Sequence, residues 1–440
     1  MRSRFMQCAI LAAFVYLPGP AFGQASPQPA PQAPASTQTV QSHGAVRLTL
    51  DDAIQLAIQH NHNLKAAQTT ILENQAQETT ANLRPNPVIS FGEQYFPFFQ
   101  PNEFSADYID NNAEFDVGLS YLFERGKKRQ HRLQAAQDQT AVTRSQVADN
   151  ERTLAFNVAS QFFSVQLAES TLDLALQDQN SFQKTVDISQ ARYKAGDISE
   201  ADYLKIELQF LQFQSDVSQA QLSKVQALVG LRQLLGYQTV PEDFDVSADF
   251  DYAPVSVKLE DLQAKALQNR PDFRAAVQGV VAAKSQYELA RANGKRDVTG
   301  AFTYAHTGGV STADFSASWE LPIFDRNQGE IARTNYVINQ AQELQMAASD
   351  QVMSDVLDAY ENVRQNDKVI TLYRSGYLDA AQKSRDITEY SYKRGAASLL
   401  DFLDAERSFR AAQLGYRQTL AAYLTAVEQL RESVGVRKLQ

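Results

Sequence analysis

The sequence has a single cysteine, Cys8, and only five histidines. Because one thiol cannot form a disulfide within the chain, and sulfur-based metal sites need several thiols, both features are excluded. His60 and His62 are the closest pair of histidines, and their two-residue spacing places them on different sides of a helix. The histidines therefore form no metal-ligand set, and the sequence predicts neither a metal site nor another cofactor.

The chain also lacks an excess of positive charge. It has 51 acidic and 41 basic residues, a formal net charge of -10, and its charges are interspersed. A nucleic-acid-binding protein would need a basic face to neutralise phosphates, so that class of function is excluded. The sequence contains no nucleophile elbow, phosphate-cradling glycine loop or metal-ligand spacing. We therefore expect a protein that is not an enzyme.

Long apolar runs are missing as well. Arg2 and Arg4 precede an apolar stretch from Cys8 to Leu17, and small residues follow it, which is typical of a secretory signal over residues 1–23. No later segment reaches the roughly 18 apolar residues that a membrane-spanning helix needs. If the protein lies in a membrane, it does so as a β-barrel. Residues 24–45 are rich in Pro, Gln and Ala and are predicted to be a disordered lead-in.

After the lead-in, the sequence repeats itself, which predicts two copies of one structural unit. We assign the copies to residues 46–240 and 257–440, with a linker over 241–256. Near the start of each copy matching residues lie 209 positions apart, and near the end 199. Matching pairs include Leu50 and Leu259, Asp52 and Asp261, Tyr193 and Tyr392, Gly196 and Gly395, Asp202 and Asp401, and Gly236 and Gly435.

Each copy is predicted to contain a helix, two strands, a long helix, a tight turn at a glycine, and a second long helix. The last helix has bulky residues at intervals of seven, typical of a coiled-coil seam: Phe402, Phe409, Tyr416, Tyr423 and Leu430. The helix from about Lys127 to Asp187 would be roughly 90 Å long at 1.5 Å per residue. Gly196 and Gly395 can adopt the left-handed conformation that ends a helix.

Two predicted strands have a period of two, with apolar and aromatic residues on one face and polar residues on the other. They contain Phe115, Val117, Leu119, Tyr121 and Phe123 in the first copy, and Phe315, Ala317, Trp319, Leu321 and Ile323 in the second. Their predicted partners are Val88 to Phe99 and Val298 to His306. Segments of about ten residues with this alternation are typical of membrane barrels, although an ordinary half-buried sheet would also have it.

Four strands in one chain are too few to close a barrel, because even small membrane barrels have about eight. Open sheet edges are not stable in lipid. The strand count therefore predicts an oligomer, and three copies would supply twelve strands.

The sequence resembles the TolC-like outer membrane efflux protein family over nearly all of the predicted mature chain. The resemblance rests on the opening Leu48-Thr49-Leu50-Asp51-Asp52-Ala53-Ile54, on Leu321-Pro322-Ile323-Phe324-Asp325, and on two turn motifs, Arg192-Tyr193-Lys194-Ala195-Gly196 and Tyr392-Lys393-Arg394-Gly395. Each copy of the repeat contains one of the two turn motifs, at the same place in the order of its predicted elements.

The resemblance implies an α+β membrane protein: a trimeric twelve-stranded transmembrane β-barrel, four strands per chain, continued into a long α-helical coiled-coil tunnel in the periplasm. The implied function is that of the outer-membrane exit channel of a tripartite efflux system. The implied partners are two further copies of the chain, a periplasmic membrane-fusion (adaptor) protein, an inner-membrane pump and outer-membrane lipid. The tips that meet the adaptor would comprise Arg192, Tyr193, Gly196, Arg394 and Gly395.

The resemblance also places Asp401 and Asp404 on the family's inward-facing carboxylates near the closed end of the tunnel. Their three-residue spacing puts both on one side of a helix. In a trimer they would form a ring of six carboxylates, which would select cations, and mutual repulsion would raise some of their pKa values. Spacing alone, without the resemblance, favours a pair of solvated acids on a helix surface near a turn.

Asp202 and Tyr392 match family positions that hold the tips shut. An arginine that helps to lock the closed state in the family corresponds here to Ala397, and either Arg394 or Arg192 could replace it. Leu122 is a second departure, since many relatives have a proline there. The basic stretch 124–129 looks most like the heavy-metal and drug-efflux branches, although headgroup contacts or a solvated face would also explain it.

Two other functions fit parts of this pattern. One is the outer-membrane channel of a type I protein secretion system, within the same family. The other is a periplasmic coiled-coil scaffold without a barrel, which would leave the two alternating strand pairs unexplained.

Overall fold

The computed structural model describes residues 47–439 except positions 96, 98, 101, 103, 104, 248 and 249. The predicted signal peptide and lead-in lie outside the described residues. Within the described ranges the chain forms ten α-helices and six β-strands.

The first half of the chain begins with a short strand and a helix pair and ends with two long helices. Its elements are β1 Arg47–Leu48, α1 Leu50–His60, α2 His62–Ala81, β2 Val88–Gln94, α3 Ala106–Asn112, β3 Glu114–Phe123, α4 Lys128–Ala195 and α5 Glu200–Leu235.

The second half follows the same general order. Its elements are β4 Asp245–Val246, α6 Leu259–Asn269, α7 Pro271–Asn293, β5 Val298–Thr307, β6 Val310–Ser318, α8 Gln328–Leu372, α9 Leu378–Lys393 and α10 Leu399–Val434, with a π-helical segment at Tyr373–Tyr377 between α8 and α9.

Several helices begin where the sequence supplies an N-cap. At α1 the Thr49 hydroxyl accepts a hydrogen bond from the Asp52 backbone N–H at 3.2 Å, and the Asp52 carboxylate accepts from the Thr49 backbone N–H. This reciprocal cap between Thr49 and Asp52 satisfies two backbone donors at the start of α1. At α7, Pro271 occupies the first turn, where its missing N–H costs no hydrogen bond.

Four strands form one antiparallel sheet in the order β2-β3-β5-β6. The register aligns Ile89, Leu119, Phe302 and Phe315 in one row across the sheet, and the next row, on the opposite face, is Ser90, Gly118, Thr303 and Asp314. The alternation predicted from the sequence is therefore confirmed, with an apolar face and a polar face. The apolar face is uncovered in the single chain, and Phe315 is 80% exposed.

The last strand ends earlier than predicted, as does β2, which was predicted to reach Phe99 and ends at Gln94. β6 ends at Ser318, so Trp319, Leu321 and Ile323 lie beyond the strand. Gly308 and Gly309, with φ of 56° and 79°, form a two-residue turn that pairs Thr307 with Val310 and so fixes the register. Pro322 has no N–H for a further ladder bond.

The two hairpins differ in their connections. β5 and β6 are joined by Gly308 and Gly309, whereas residues 95–113, which include α3, connect β2 to β3. The extra residues of the first half thus lie between its strands.

The long helices carry the core. α4 has 68 residues and is on the order of 100 Å long at 1.5 Å per residue. The predicted seam of α10 is confirmed, because Phe402, Phe409, Tyr423 and Leu430 are buried and Tyr416 is half-buried. Among the described residues, none of the helices combines the length and apolar character required to cross a membrane.

The long helix of the second half is interrupted where that of the first half is continuous. Gly376, with φ of 118° and ψ of -5°, is not helical and forms a kink within the π-helical segment between α8 and α9. Before this segment, the buried residues Leu154, Val158, Val165 correspond to Val352, Val356, Val363, all 198 positions later. After it, Tyr193 corresponds to Tyr392 at a spacing of 199. The π-helical segment therefore holds one extra residue.

The interrupted region packs closely against α10 at a glycine. A Cβ atom at Gly415 would lie 2.4 Å from the Tyr373 hydroxyl oxygen, which no real Cβ contact allows. The Tyr373 ring also packs edge-on against Tyr416, with ring centroids 6.1 Å apart. Only a residue without a side chain fits at position 415 in this arrangement.

Candidate functional site

The two tight turns between long helices lie next to each other, joined by a shared apolar core. We call this core the tip cluster; its buried members are Phe182, Ile206, Phe213, Tyr392, Leu399 and Phe402. The Tyr392 and Phe402 rings stack with centroids 5.3 Å apart, and the Phe182 and Phe213 rings are 4.8 Å apart. The cluster therefore ties α4 and α5 of the first half to α9 and α10 of the second.

Glycine in a left-handed conformation ends the incoming helix at both turns, as predicted. Gly196 has φ of 83°, and the N–H of Asp197 donates to the Arg192 carbonyl at 2.9 Å. Gly395 has φ of 76°, and the N–H of Ala396 donates to the Ser391 carbonyl at 2.8 Å. These bonds satisfy carbonyls at the helix ends and turn the chain within a few residues. A Cβ at either glycine would meet no atom within 4 Å, so both turn glycines face open space.

Asp401 and Asp404 both lie exposed on α10, one turn apart. The Asp401 carboxylate accepts hydrogen bonds from the Ser398 hydroxyl at 2.7 Å and the Ser398 backbone N–H at 3.1 Å. The Ser398 hydroxyl in turn accepts from the Asp401 N–H, which completes a capping box. These bonds stabilise the ionised form and lower the pKa of Asp401, opposite to the direction expected from repulsion within a ring.

Asp202 occupies the matching position in the first half but makes different contacts. Its N–H donates to the Ser199 hydroxyl at 3.1 Å, while its carboxylate lies 3.4 Å from the Lys205 ammonium. Both partners lie within three residues of Asp202 in sequence. No hydrogen bond joins Asp202 to Tyr392 in the described part of the chain, so the two predicted gate residues are not brought together within one subunit.

Tyr392 is buried beneath an arginine from the other turn. The Arg192 guanidinium carbon lies 5.6 Å from the centroid of the Tyr392 ring, within the range of a cation–π contact. Neither the Tyr392 hydroxyl nor Nη1 of Arg192 has a hydrogen-bond partner among the described residues. Arg192 thus contacts the predicted gate tyrosine directly.

The remaining predicted tip residues lie at the surface. Arg394 is exposed and lies over the Tyr390 ring, with its guanidinium carbon 4.6 Å from the ring centroid. Ala397, which the resemblance aligns with a family arginine, packs against the tip cluster. Tyr193 stacks on Tyr203, with ring centroids 5.2 Å apart. Of the two arginines considered as replacements, Arg192 contacts Tyr392 and Arg394 contacts Tyr390.

The sequence analysis missed a charged network above the tip cluster. The Arg410 guanidinium donates to the Asp178 carboxylate at 3.0 Å and to the Asp216 carboxylate at 2.5 Å, and it lies 4.3 Å from the centroid of the Phe213 ring. Arg410 therefore links α10 to both α4 and α5. Burial raises the pKa of Asp178, while the positive charge of Arg410 opposes that shift.

A signal for this network is present in the sequence. Asp178 lies three residues after Ala175 and four before Phe182, so it interrupts the apolar seam of α4 at a seam position. A lone polar residue in a coiled-coil seam needs a partner and often fixes register. No group of three or more His, Cys, Asp or Glu side chains is placed to hold a metal ion in the described ranges.

Comparison with known sequences identifies one family. The sequence model described as outer membrane efflux protein matches residues 53–237 and 262–436. The chain is 24% identical to the cobalt-zinc-cadmium resistance protein CzcC of Cupriavidus metallidurans, covering 88% of this chain and 90% of that protein. It is 28% identical to the cation efflux system protein CusC of Escherichia coli K12, covering 83% and 80% of the two chains.

Solved structures share the fold. A crystal structure of CusC covers 93% of this chain and 99% of its own, with a TM-score of 0.74 and 21% identity. The open state of the Neisseria gonorrhoeae MtrE outer membrane channel covers 89% and 90%, with a TM-score of 0.72 and 20% identity. The arrangement of sheet, long helices and tips is therefore that of outer membrane channels.

Proposed function

Because the chain belongs to the outer membrane efflux protein family, we propose that it is the exit channel of a tripartite efflux system. In this proposal a homotrimer passively conducts metal ions or small molecules from an adaptor and an inner-membrane pump to the exterior. Residues 1–23 direct export, and the units 46–240 and 257–440 build the channel. The family is one of transport proteins and not of enzymes.

The observation that carries the proposal is the four-stranded sheet. Its outer strands, β2 and β6, each have one edge without a partner strand in the described part of the chain. Its apolar face is exposed, and its other face is lined by small and polar residues. Open edges are not stable in lipid, and four strands cannot close. Three copies would pair these edges into a twelve-stranded barrel with a polar lumen.

The helices support the same assembly. α5 carries a stripe of apolar residues at coiled-coil spacing, each 48–66% exposed: Leu204, Leu208, Leu211, Leu222, Val225 and Val229. α5 packs on α4, while α8 and α9 pack on α10. Such a stripe is a seam without a partner helix in the single chain. A neighbouring subunit would cover it in a closed ring of helices.

The names of two relatives favour metal ions as cargo, since CzcC is described by cobalt, zinc and cadmium resistance and CusC by cation efflux. In a trimer, Asp401 and Asp404 would form an acidic ring at the constriction, which attracts cations and repels anions. Both carboxylates are exposed in the single chain, as a lumen position requires.

The tips would open and close around Tyr392, with Asp202 contributing from a neighbouring subunit. We assign the role of the missing family arginine at Ala397 to Arg192, because its guanidinium already lies over the Tyr392 ring. The unpartnered Tyr392 hydroxyl and Arg192 Nη1 could then bond across subunits. The exposed turns, with Arg192, Tyr193, Gly196, Arg394 and Gly395, would dock the adaptor.

Single-channel conductance in a planar bilayer tests this proposal. The detergent-purified wild type should give a small, cation-selective conductance, and Asp401→Asn/Asp404→Asn should lose much of that selectivity because the ring loses its charge. Asp350→Asn/Asp358→Asn is the matched control, since it removes two exposed charges from α8, away from the turns.

The outcomes separate the parts of the proposal. A wild type that conducts, with both variants alike, would refute the acidic constriction and leave the channel. A folded wild type that never inserts would refute the channel itself and favour the periplasmic scaffold, which family membership argues against. Co-transcription with a peptidase-like transporter and its exported protein would favour protein secretion.

A further inference from the structure

The end of the sheet that adjoins the long helices gathers four chain segments into one region. We call it the junction collar; it comprises residues 82–87, 124–129, 294–297 and 319–327. The Arg125 backbone N–H donates to the Asp297 carboxylate at 2.8 Å. The Arg132 guanidinium lies 2.6 Å from the Glu124 carboxylate and also donates to the Leu83 carbonyl at 3.2 Å. Arg296 contacts the carboxylates of Glu320 and Asp325. These contacts hold all four segments together.

The collar carries uncompensated positive charge. All four of its acids are already paired with arginine or lysine: Glu124, Asp297, Glu320 and Asp325. Five cations have no side-chain hydrogen bond or ion pair within the described part of the chain: Arg84, Arg125, Lys127, Arg129 and Lys295. This excess is local, because the whole chain has a net charge of -10.

The start of α4 increases the excess. Lys128 and Arg129 lie in its first turn, which contains no acidic residue. Cations are unfavourable at the positive end of a helix unless an anion neutralises them. Within the described part of the chain Asp297 pairs with Lys128 at 2.8 Å, whereas Arg129 has no carboxylate partner, so its charge is left for an external anion.

Two of the free cations line a cavity of about 280 Å³ between the start of β2 and the end of β3. Arg84 and Arg129 contribute to it together with two side chains that are already paired, Lys128 with Asp297 and Glu124 with Arg132. Tyr121 and Phe123 form another part of the wall, with ring centroids 4.9 Å apart. Both rings belong to the apolar face of the sheet, so the cationic cavity adjoins a lipophilic surface.

Exposed aromatic side chains also follow β6 within the collar. Trp319 is 60% exposed and Phe324 is 89% exposed, and Trp319 is the only tryptophan in the chain. Tryptophan and other aromatic residues are enriched at the level of lipid headgroups. Free cations beside exposed aromatic residues therefore fit a membrane–water boundary better than a water-filled lumen.

We propose that the cavity at Arg84 and Arg129 binds the phosphate of an anionic phospholipid headgroup, with acyl chains lying along Tyr121 and Phe123. This inference rests on the proposed function. If the sheet spans the outer membrane, the collar adjoins the helices and so faces the periplasm, where the leaflet consists of phospholipids. Arginine is suited to the phosphate because its planar guanidinium can donate two parallel hydrogen bonds.

Native mass spectrometry of the detergent-purified protein tests the proposal, with dioleoylphosphatidylglycerol and dioleoylphosphatidylcholine as probes. The wild type should retain phosphatidylglycerol at lower lipid concentration than phosphatidylcholine. Arg84→Gln/Arg129→Gln should bind phosphatidylglycerol roughly thirtyfold more weakly, because each substitution removes one charge contact with the phosphate. Arg47→Gln/Arg144→Gln is the matched control, because both arginines are exposed and lie outside the collar; it should bind like the wild type.

Three results would overturn the inference. The first is equal binding of the two lipids by the wild type, and the second is undiminished phosphatidylglycerol binding by the Arg84→Gln/Arg129→Gln variant. The third is displacement of phosphatidylglycerol by an equal concentration of inorganic phosphate, which would assign the cavity to a soluble anion. A wild type that conducts in a bilayer but shows any of these results loses only the lipid site. A wild type that neither inserts nor binds lipid contradicts the proposed function as well.

Discussion

The two halves of the chain build the same hairpin of long helices in two ways. α4 runs without interruption from Lys128 to Ala195, whereas the corresponding helix of the second half changes to a π-helical segment at Tyr373–Tyr377. The second half carries one more residue between its seam and its tip. The two halves thus keep the seam and the tip of the long helix in matching positions, although the second half has an extra residue between them.

The start of the returning helix differs in the same way. Ser398 and Asp401 form a complete capping box at α10, while at α5 Ser199 caps Asp202 and the Asp202 carboxylate contacts Lys205. The second half therefore combines a break above the tip with a more strongly fixed turn. The first half has a continuous helix and a less constrained turn.

The largest expected effect comes from deleting a single residue of the second half, either inside the π-helical segment or after it in α9. Deleting Ser375 should convert the π-helical segment to regular helix and keep Tyr392 in the tip cluster. Deleting Lys383 from α9 should rotate all later residues of that helix by about 100° and remove Tyr392 from the cluster. Loss of a buried aromatic residue costs roughly 3 kcal/mol or more.

Thermal unfolding of the purified protein, together with limited proteolysis of the tips, measures this difference. The Ser375-deletion variant should unfold at a temperature close to that of the wild type, and the Lys383-deletion variant at a clearly lower temperature. Equal damage from both deletions would show that the extra residue is not held in the π-helical segment.

A smaller effect is expected at the two arginines of the turns. Arg192→Gln removes the cation from the Tyr392 ring. If that contact stabilises the closed state by about 1.4 kcal/mol, its loss should raise the open probability up to about tenfold. Arg394→Gln affects only a surface contact with Tyr390 and serves as the control. Bilayer recordings at constant voltage should show more frequent opening for Arg192→Gln alone. If Arg394→Gln opens the channel as much, the assignment of Arg192 as the lock is wrong.

The smallest effect is expected at the paired cap positions. Within one subunit, Asp401→Ala removes the reciprocal cap, while Asp202→Ala removes an exposed contact with Lys205. Hydrogen bonds from Ser398 lower the pKa of Asp401 below its ordinary value of 3.8. Its stabilisation is therefore fully present above pH 3.8 and is lost as the pH falls through the lower folded value.

Thermal midpoints measured from neutral pH down to about pH 3 check this prediction. The difference between Asp401→Ala and the wild type should shrink in acid. A difference that stays constant over this range would show that the carboxylate does not act through its ionised form.

Much of the fold followed from periodicity. The heptads of α10, the alternation of β3 and the glycine turns were predicted correctly, because each depends on residues close in sequence. The resemblance to the TolC-like family is confirmed by the family match, which includes both halves. The position of β6 was wrong because the alternation continues through Trp319, Leu321 and Ile323, while Gly308 and Gly309 set the register from the other end.

The candidate site was predictable only in part. The resemblance to the family singled out Tyr392 and Arg192, but not that one lies over the other, because they belong to different halves. The network of Arg410, Asp178 and Asp216 also joins distant residues, and only the polar residue in the seam of α4 hinted at it. The extra residue of the second half could not be located, since the motifs that bracket it are intact.

Gly415 limits how this region can change during evolution. A glycine within a helix costs about 1 kcal/mol relative to alanine, and here it makes room for the Tyr373 hydroxyl against α10. A side chain at position 415 would meet that oxygen, so the Tyr373 ring must move or be replaced to accommodate it. Growth of a side chain at position 415 therefore comes at the expense of the contact between the interrupted region and α10.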